Sequence, residues 1–282
     1  MTQNQSPPLS FQRSDIEKKL FMPAGEFTQP GPVLPAALAI LSGVVFYLLL
    51  QLVPGAWLER SFTQRGWVPY AIVFFSAWAF WIIVVKYFKI NVQARALGRP
   101  LCPDDPSFYI SADTAVKVLD RLYDICDEPR DFLLYNRIQF ALSNLKNLGR
   151  VGDVDEVLRS RADSDESGAE SGYTVVKGLL WAIPVLGFIG TVLGLSVAIG
   201  SFGAVLATSA DAEEIKPALQ SVTAGLATAF ETTLQALVVT LVIHMFMTMV
   251  RRKEERMFNR FNDYCERQVV AKIRIKHDGV QA

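Results

Sequence analysis

Apolar residues in this chain gather into four long runs separated by polar stretches, near 33–53, 67–88, 175–206 and 217–250. A helix needs about 20 consecutive apolar residues to cross a hydrocarbon core, so each run predicts a membrane-spanning helix. The first two are joined by a short loop around Pro54, Gly55 and Gly66, which makes them a hairpin. The third and fourth are longer than a bilayer requires and are expected to continue into water on one side. Their connector is 207–216, mildly acidic through Asp211, Glu213 and Glu214. Between the hairpins, a turn rich in Gly98, Pro100, Pro103 and Pro106 precedes amphipathic patterns near 112–126, 130–148 and 153–161. The run from Ala162 to Gly172, ADSDESGAESG, predicts a flexible link into the third span. Beyond Val250, the residues Met257, Phe261, Tyr264, Cys265 and Val269 recur at three and four, so the last helix is expected to run on.

The resulting fold class is all-α: a polytopic membrane protein with four transmembrane helices, two of them extending into the cytoplasm, plus a cytoplasmic helical region. Its expected divisions are an N-terminal cytoplasmic segment at 1–32, a peripheral hairpin at 33–88 and a cytoplasmic helical region at 89–173. A second hairpin follows at 174–250, and a cytoplasmic C-terminal helix at 251–282.

Composition agrees with this pattern. Of 282 residues 51% are hydrophobic, more than one or two soluble domains usually carry. Equal numbers of basic and acidic residues, 28 of each, give no global sign that favours nucleic acid as a partner. Cys102, Cys126 and Cys265 form no CxxC or Cys/His cluster, so no metal site is expected and a reducing compartment suits them. The first 30 residues are polar and carry Arg13, Lys18 and Lys19, which leaves the first span to act as the targeting signal. Lys86, Lys89, Arg95 and Arg99 follow the second span, and Arg251, Arg252, Lys253, Arg256 and Arg260 follow the fourth. These flanks are expected in the cytoplasm, with both termini inside. Arg60 and Arg65, in the first loop, are a weaker dissent.

Candidate chemistry lies in the third and fourth runs. The third carries Gly187, Gly190 and Gly194 at the three- and four-residue spacing that lets membrane helices approach closely. On the fourth, taken as a helix with Glu231 at 0°, Gln235 falls near 40°, Thr228 near 60°, Ser221 near 80° and Thr232 at about 100°. This polar stripe should face a bundle interior or a water-filled path. The alternative is an inter-helix seam whose hydroxyls bond back to their own backbone. An acid deep in a span costs several kcal/mol if charged and unpaired, so Glu231 needs water, a partner or a proton nearby. It could instead be a structural partner of a hydroxyl or a basic residue. Counting from the hairpin end, Thr191 and Glu231 both sit about 21–22 Å down their helices and should be level.

The segments PVLGFIGTVLGL (Pro184 to Leu195) and LATAFETTLQAL (Leu226 to Leu237) together resemble the signature of the MotA/TolQ/ExbB proton channel family. The resemblance covers about 175–260. It implies a bacterial inner-membrane, ion-channel subunit of a motor, a homo-oligomer expected to be a pentamer around a single-span MotB/ExbD/TolR-like partner that carries a transmembrane aspartate. It gives Thr191 and Thr228 the place of the family's pore threonines, and Pro184 that of a proline at the cytoplasmic end of the span. No cofactor is implied beyond the transported H⁺ or Na⁺. The chain departs from many ExbB-type members, with Thr223 where they have a glutamate and, in the last span, no proline at the place where many relatives have one.

Two other classes remain open. A self-contained transporter should show internal repeats or broken helices, and a structural membrane scaffold needs neither a buried acid nor a polar stripe. Enzymatic motifs are absent: His244 lies at about 220° from Glu231, off the stripe, and His277 is far from it. The run DEPRD (Asp127 to Asp131) reads as a solvated helix junction.

Overall fold

The computed structural model describes residues 8–19, 22–53, 55, 57–99, 101–102, 108–145, 151–208 and 212–274. Pro54, Pro100, Pro103, Pro106, Asp211 and His277 fall outside them, as do the side chains of Glu213 and Glu214. Among the described residues there is no strand. The described residues form ten α-helices in chain order: α1 (Phe11–Ser14), α2 (Ile16–Lys19), α3 (Val33–Gln51), α4 (Trp57–Thr63), α5 (Val68–Ala94), α6 (Ala112–Ile125), α7 (Leu133–Ser143), α8 (Val151–Ser171), α9 (Thr174–Thr208) and α10 (Ala212–Tyr264). Four helical stretches are long and apolar enough to cross a membrane. This is a multi-pass, all-helical membrane protein. At 1.5 Å per residue the 53 residues of α10 span about 80 Å, far more than a hydrocarbon core of about 30 Å.

The chain divides into two compact units, one of residues 33–84 and 174–249, the other of 1–32, 85–173 and 250–282. In the first unit, α9 and α10 meet along a strip with almost no side chains. A Cβ added at Gly187 would lie 2.6 Å from the Ala236 Cβ, and one at Gly194 would lie 2.6 Å from the Gly225 carbonyl oxygen. Gly190 faces the Thr232 side chain, and Gly225 faces Ala198. The partner numbers fall as the α9 numbers rise, so the helices are antiparallel. Lipid tails are as apolar as leucine, so such helices associate through close backbone approach, and the glycines supply it. α3 is held more loosely. Trp81 on α5 donates to the Ser42 hydroxyl at 3.1 Å, Tyr47 stacks on Tyr70, and Phe46 meets Phe62 of α4 edge-on. Phe80 of α5 stacks on Phe246 of α10.

The loop joining α3 to α5 is not irregular throughout. It contains the short helix α4, bracketed by Gly55 and Gly66 at φ of 81° and 79°, left-handed values that a side chain would strain.

The second unit is built on buried charge as well as apolar packing. Lys86 makes an ion pair with Glu254 at 3.0 Å, donates to the Ala169 carbonyl at 3.1 Å, and lies over the Tyr173 ring. Lys89 bonds Glu17 at 2.6 Å and Asp15 at 3.4 Å, and donates to the carbonyls of Gly25 and Gln29. All five charged groups are at most 3% exposed. Arg137, also buried, joins three helices through Asp165 of α8 at 2.5 Å and Asn262 of α10 at 2.7 Å. α6 starts with a capping box in which the Ser111 and Thr114 side chains each bond the other's backbone N–H.

Two expectations change here. The stretch 163–172 is no flexible link: α8 continues to Ser171, and only a turn at Gly172 and Tyr173 separates it from α9. Val154, Leu158, Ala162, Asp165 and Ala169 form one buried or nearly buried row at helical spacing. The lower half of that row is alanine and a paired acid, so a hydropathy reading passes over it. The helix expected near 130–148 is shorter, with a 3₁₀ turn at Pro129–Asp131 before α7.

Substituting Gly194→Ala should lower stability by about 1–3 kcal/mol, the range for an overpacked contact, because its methyl meets backbone on both sides. Gly200→Ala, where nothing lies within 4 Å, should leave the melting temperature in mild detergent unchanged. Cys126 is fully buried, and burial pushes its thiol up to about 11. Thiolate therefore forms only at strongly alkaline pH. At pH 8 mass spectrometry should find it unalkylated in the native protein and labelled once the chain is unfolded.

Candidate functional site

Two groups of polar side chains lie in the membrane-spanning unit, on different faces of α10. The first sits in the α9–α10 seam. Thr191 is half-buried, and its hydroxyl contacts the Ala229 carbonyl at 3.1 Å, the carbonyl of Gly187 in its own helix at 3.3 Å, and the hydroxyl of Thr233. Thr233 in turn reaches the Gly187 carbonyl at 3.0 Å and that of Ala229 at 3.1 Å. Four oxygens thus share two hydroxyl protons, an arrangement with spare acceptor capacity for a proton or a small cation. Gly187 and Gly190 place it there, since only with bare backbone opposite can Thr191 reach across to the α10 carbonyls. Pro184, half-buried within α9, cannot donate a bond to the carbonyl one turn back.

The second group is on the stripe. The Glu231 carboxylate receives Arg65 Nε at 2.9 Å and the Ser61 hydroxyl at 3.0 Å on one oxygen, and Arg65 Nη2 at 3.3 Å on the other. Arg65 Nη1 points to the Thr228 hydroxyl and the Ala224 carbonyl, both at 3.3 Å. Gln235, buried, donates to the Ser61 carbonyl at 3.1 Å. Thus α4 and the residues after it lie along the stripe at one-turn intervals. The Arg65 and Glu231 side chains are 19% and 17% exposed, so this pair is largely withdrawn from its surroundings. An unpaired charge at the centre of a membrane helix costs about 3 kcal/mol on insertion scales, and the two-pronged pairing offsets it.

The remaining stripe residues divide. Thr228 also bonds back to the Ala224 carbonyl at 2.9 Å, and Thr232 to that of Thr228 at 2.9 Å. Thr232 is buried against Gly190, which makes it part of the seam. Ser221 lines a cavity of about 320 Å³ together with Thr228, Gly190, Gly194 and residues 64–68. Thr191 and Glu231 are level, as counted along the helices, because Thr191 reaches residues 229 and 233 on either side of Glu231. They do not touch.

Sequence reasoning passed over Thr233, Ser61 and Arg65. Thr233 falls at about 200° from Glu231, outside a wheel centred on the acid; the glycine row of α9 was the signal that a second face of α10 is in contact. In the sequence Arg65 reads only as a topology marker, although a membrane acid needs a counter-charge. His244 is exposed. No group of three His, Cys, Asp or Glu side chains that could hold a metal occurs among the described residues. Asp131, in DEPRD, pairs with Lys18 at 2.5 Å, as a helix junction would.

Residues 127–263 match the MotA/TolQ/ExbB proton channel family, a group of channels and not of enzymes. Neither the curated proteins nor the solved structures contain a match.

The pairing at Glu231 has a thermodynamic signature. Arg65→Leu alone strands a buried carboxylate and should cost about 3–5 kcal/mol, whereas Arg65→Leu with Glu231→Leu should cost about 1 kcal/mol or less. Thermal unfolding of the wild type and these two variants in one detergent measures the difference.

Proposed function

We propose, because residues 127–263 match the MotA/TolQ/ExbB proton channel family, that the chain is the stator-like, ion-conducting subunit of an inner-membrane motor that couples H⁺ or Na⁺ flow to mechanical work. The observation that carries this reading is the oxygen cluster of Thr191, Thr233, Gly187 and Ala229, mid-span and level with Glu231. Thr191 and Thr228 serve as the pore hydroxyls. Glu231, with Ser221, Thr232 and Gln235 along its helix, lines or adjoins the ion's route. The partner is a single-span, MotB/ExbD/TolR-like protein that brings a transmembrane aspartate.

The exposed surface supports assembly. Phe188, Val192 and Ile199 on α9, and Phe230, Leu234, Leu241 and Met245 on α10, are large, apolar and uncovered by their own chain. Lipid can cover part of that surface, and neighbouring copies with the partner's helices cover the rest, in a pentamer. The Lys and Arg residues after the second and fourth spans support a reading with both termini and the α6–α8 region in the cytoplasm. The long helices then extend on that side.

A structural scaffold is the second reading. It is favoured by one observation: the Glu231 carboxylate and the hydroxyls of Thr228 and Thr232 find partners within the chain. The two readings separate on substitution. Thr191→Val and Thr228→Val remove a hydroxyl with little change of shape. They should assemble normally while ion-driven activity falls about tenfold or more, each lost oxygen ligand being worth 1.5 kcal/mol or so. Glu231→Gln should assemble and lose activity, whereas Glu231→Ala should also lower the yield of complex. An active Gln variant decides for the scaffold, and so does a particle that mass measurement in mild detergent shows to be monomeric.

A further inference from the structure

We infer that Arg65 is a tethered counter-cation, a built-in competitor that occupies Glu231 and must swing away before a transported cation can bind there. This rests on the conducting role proposed above and adds a residue and a gating step to it. Both carboxylate oxygens are engaged by one guanidinium, at 2.9 and 3.3 Å. A second monovalent cation brought to the same carboxylate would meet that positive charge within a few ångströms, in surroundings that screen it poorly. In this arrangement the site is full.

Three features make the occupant displaceable. Arg65 belongs neither to α9 nor to α10 but to the connection after α4, directly before Gly66 at φ 79°, where the backbone turns with open space around it. Its grip is uneven, since only the Nε contact is short and the other three lie at 3.3 Å. Beside it lies the cavity of about 320 Å³, lined by Ser221 and Thr228 among others, with room for the withdrawn side chain or for water.

What remains after withdrawal is a cation site. Two Glu231 oxygens and the Ser61 hydroxyl stay in place, and the Thr228 hydroxyl loses its contact with Arg65. Charge balances in the exchange: the guanidinium carries its positive charge out, one H⁺ or Na⁺ brings one in, and the carboxylate stays where it is. For H⁺ a carboxyl O–H bond forms with a carboxylate lone pair; for Na⁺ the four oxygens act as ligands. Ser61 is buried and its carbonyl is held by Gln235, so this half of the site is fixed while Arg65 moves.

The test uses the purified full chain in phospholipid vesicles under an imposed potential, with an internal pH dye for H⁺ and radioactive sodium for Na⁺. Wild-type protein should pass little current in the absence of a partner. Arg65→Gln should raise flux of one of the two ions by at least about tenfold, the expected effect of removing a competitor that fills most sites. Arg65→Gln combined with Glu231→Gln should return to the wild-type level, because the opened site is then gone. Arg65→Lys keeps the charge without the two-pronged grip and should leak to an intermediate degree; it serves if the Gln variant does not fold. Wild-type flux in whichever Arg65 variant folds would overturn the proposal, and so would a double variant that leaks as much as Arg65→Gln, since the leak would then be a packing defect. A silent Arg65→Gln alongside an inactive Glu231→Gln refutes the competitor and spares the conducting role. A silent Arg65→Gln alongside an active Glu231→Gln refutes both.

Discussion

Helices in hydrocarbon gain nothing by hiding leucine from one another, so what holds α9 to α10 is the near absence of side chains where they meet. Gly187, Gly190, Gly194 and Gly225 let two backbones approach until a single methyl group would clash. The polar seam of Thr191 and Thr233 follows from that approach. Thr191 reaches carbonyls of the neighbouring helix because no side chain keeps them apart. Large residues are driven to the opposite faces, where lipid or another polypeptide must cover them. The remaining flank of α10 is left for α4 and the residues after it, where the acid finds its base in Arg65.

How much of this can be read from the chain depends on whether a residue's role is set by its own helix or by a neighbour's. The four spans, the glycine row and the common depth of Thr191 and Glu231 are properties of single helices, and counting recovers them. The pairing of Glu231 with Arg65 joins residues 166 positions apart, across a loop whose internal helix α4 leaves only a weak pattern in seven residues. α8 misleads for another reason. Its buried row relies on Ala162, Ala169 and a paired Asp165, residues that a search for hydrophobic periodicity treats as neutral or polar. Small residues and compensated charges can bury a helix face, and they leave little trace in hydropathy.

Compensated charge is the theme of the second unit too. Lys86 and Lys89, one turn apart on α5, are buried with Asp15, Glu17 and Glu254. Taking five ionisable groups out of water is expensive, and their mutual attraction repays it only when every partner is present. Such an arrangement adds little net stability. What it adds is discrimination, because an incomplete set is strongly unfavourable.

The pieces of that set have an order of arrival. Lys89 ties the segment around Glu17 to the end of α5, so both must emerge on one side of the bilayer, a constraint on threading that is independent of any count of flanking charges. Lys86 and Arg137 must wait longer, since Glu254 and Asn262 follow the fourth span and are made well after them. Until the final hairpin has inserted, a lysine and an arginine meant for the interior stand without those partners. The unit therefore closes only after the fourth span has been made, so completion of the membrane hairpins and closure of the charged core are one event in assembly.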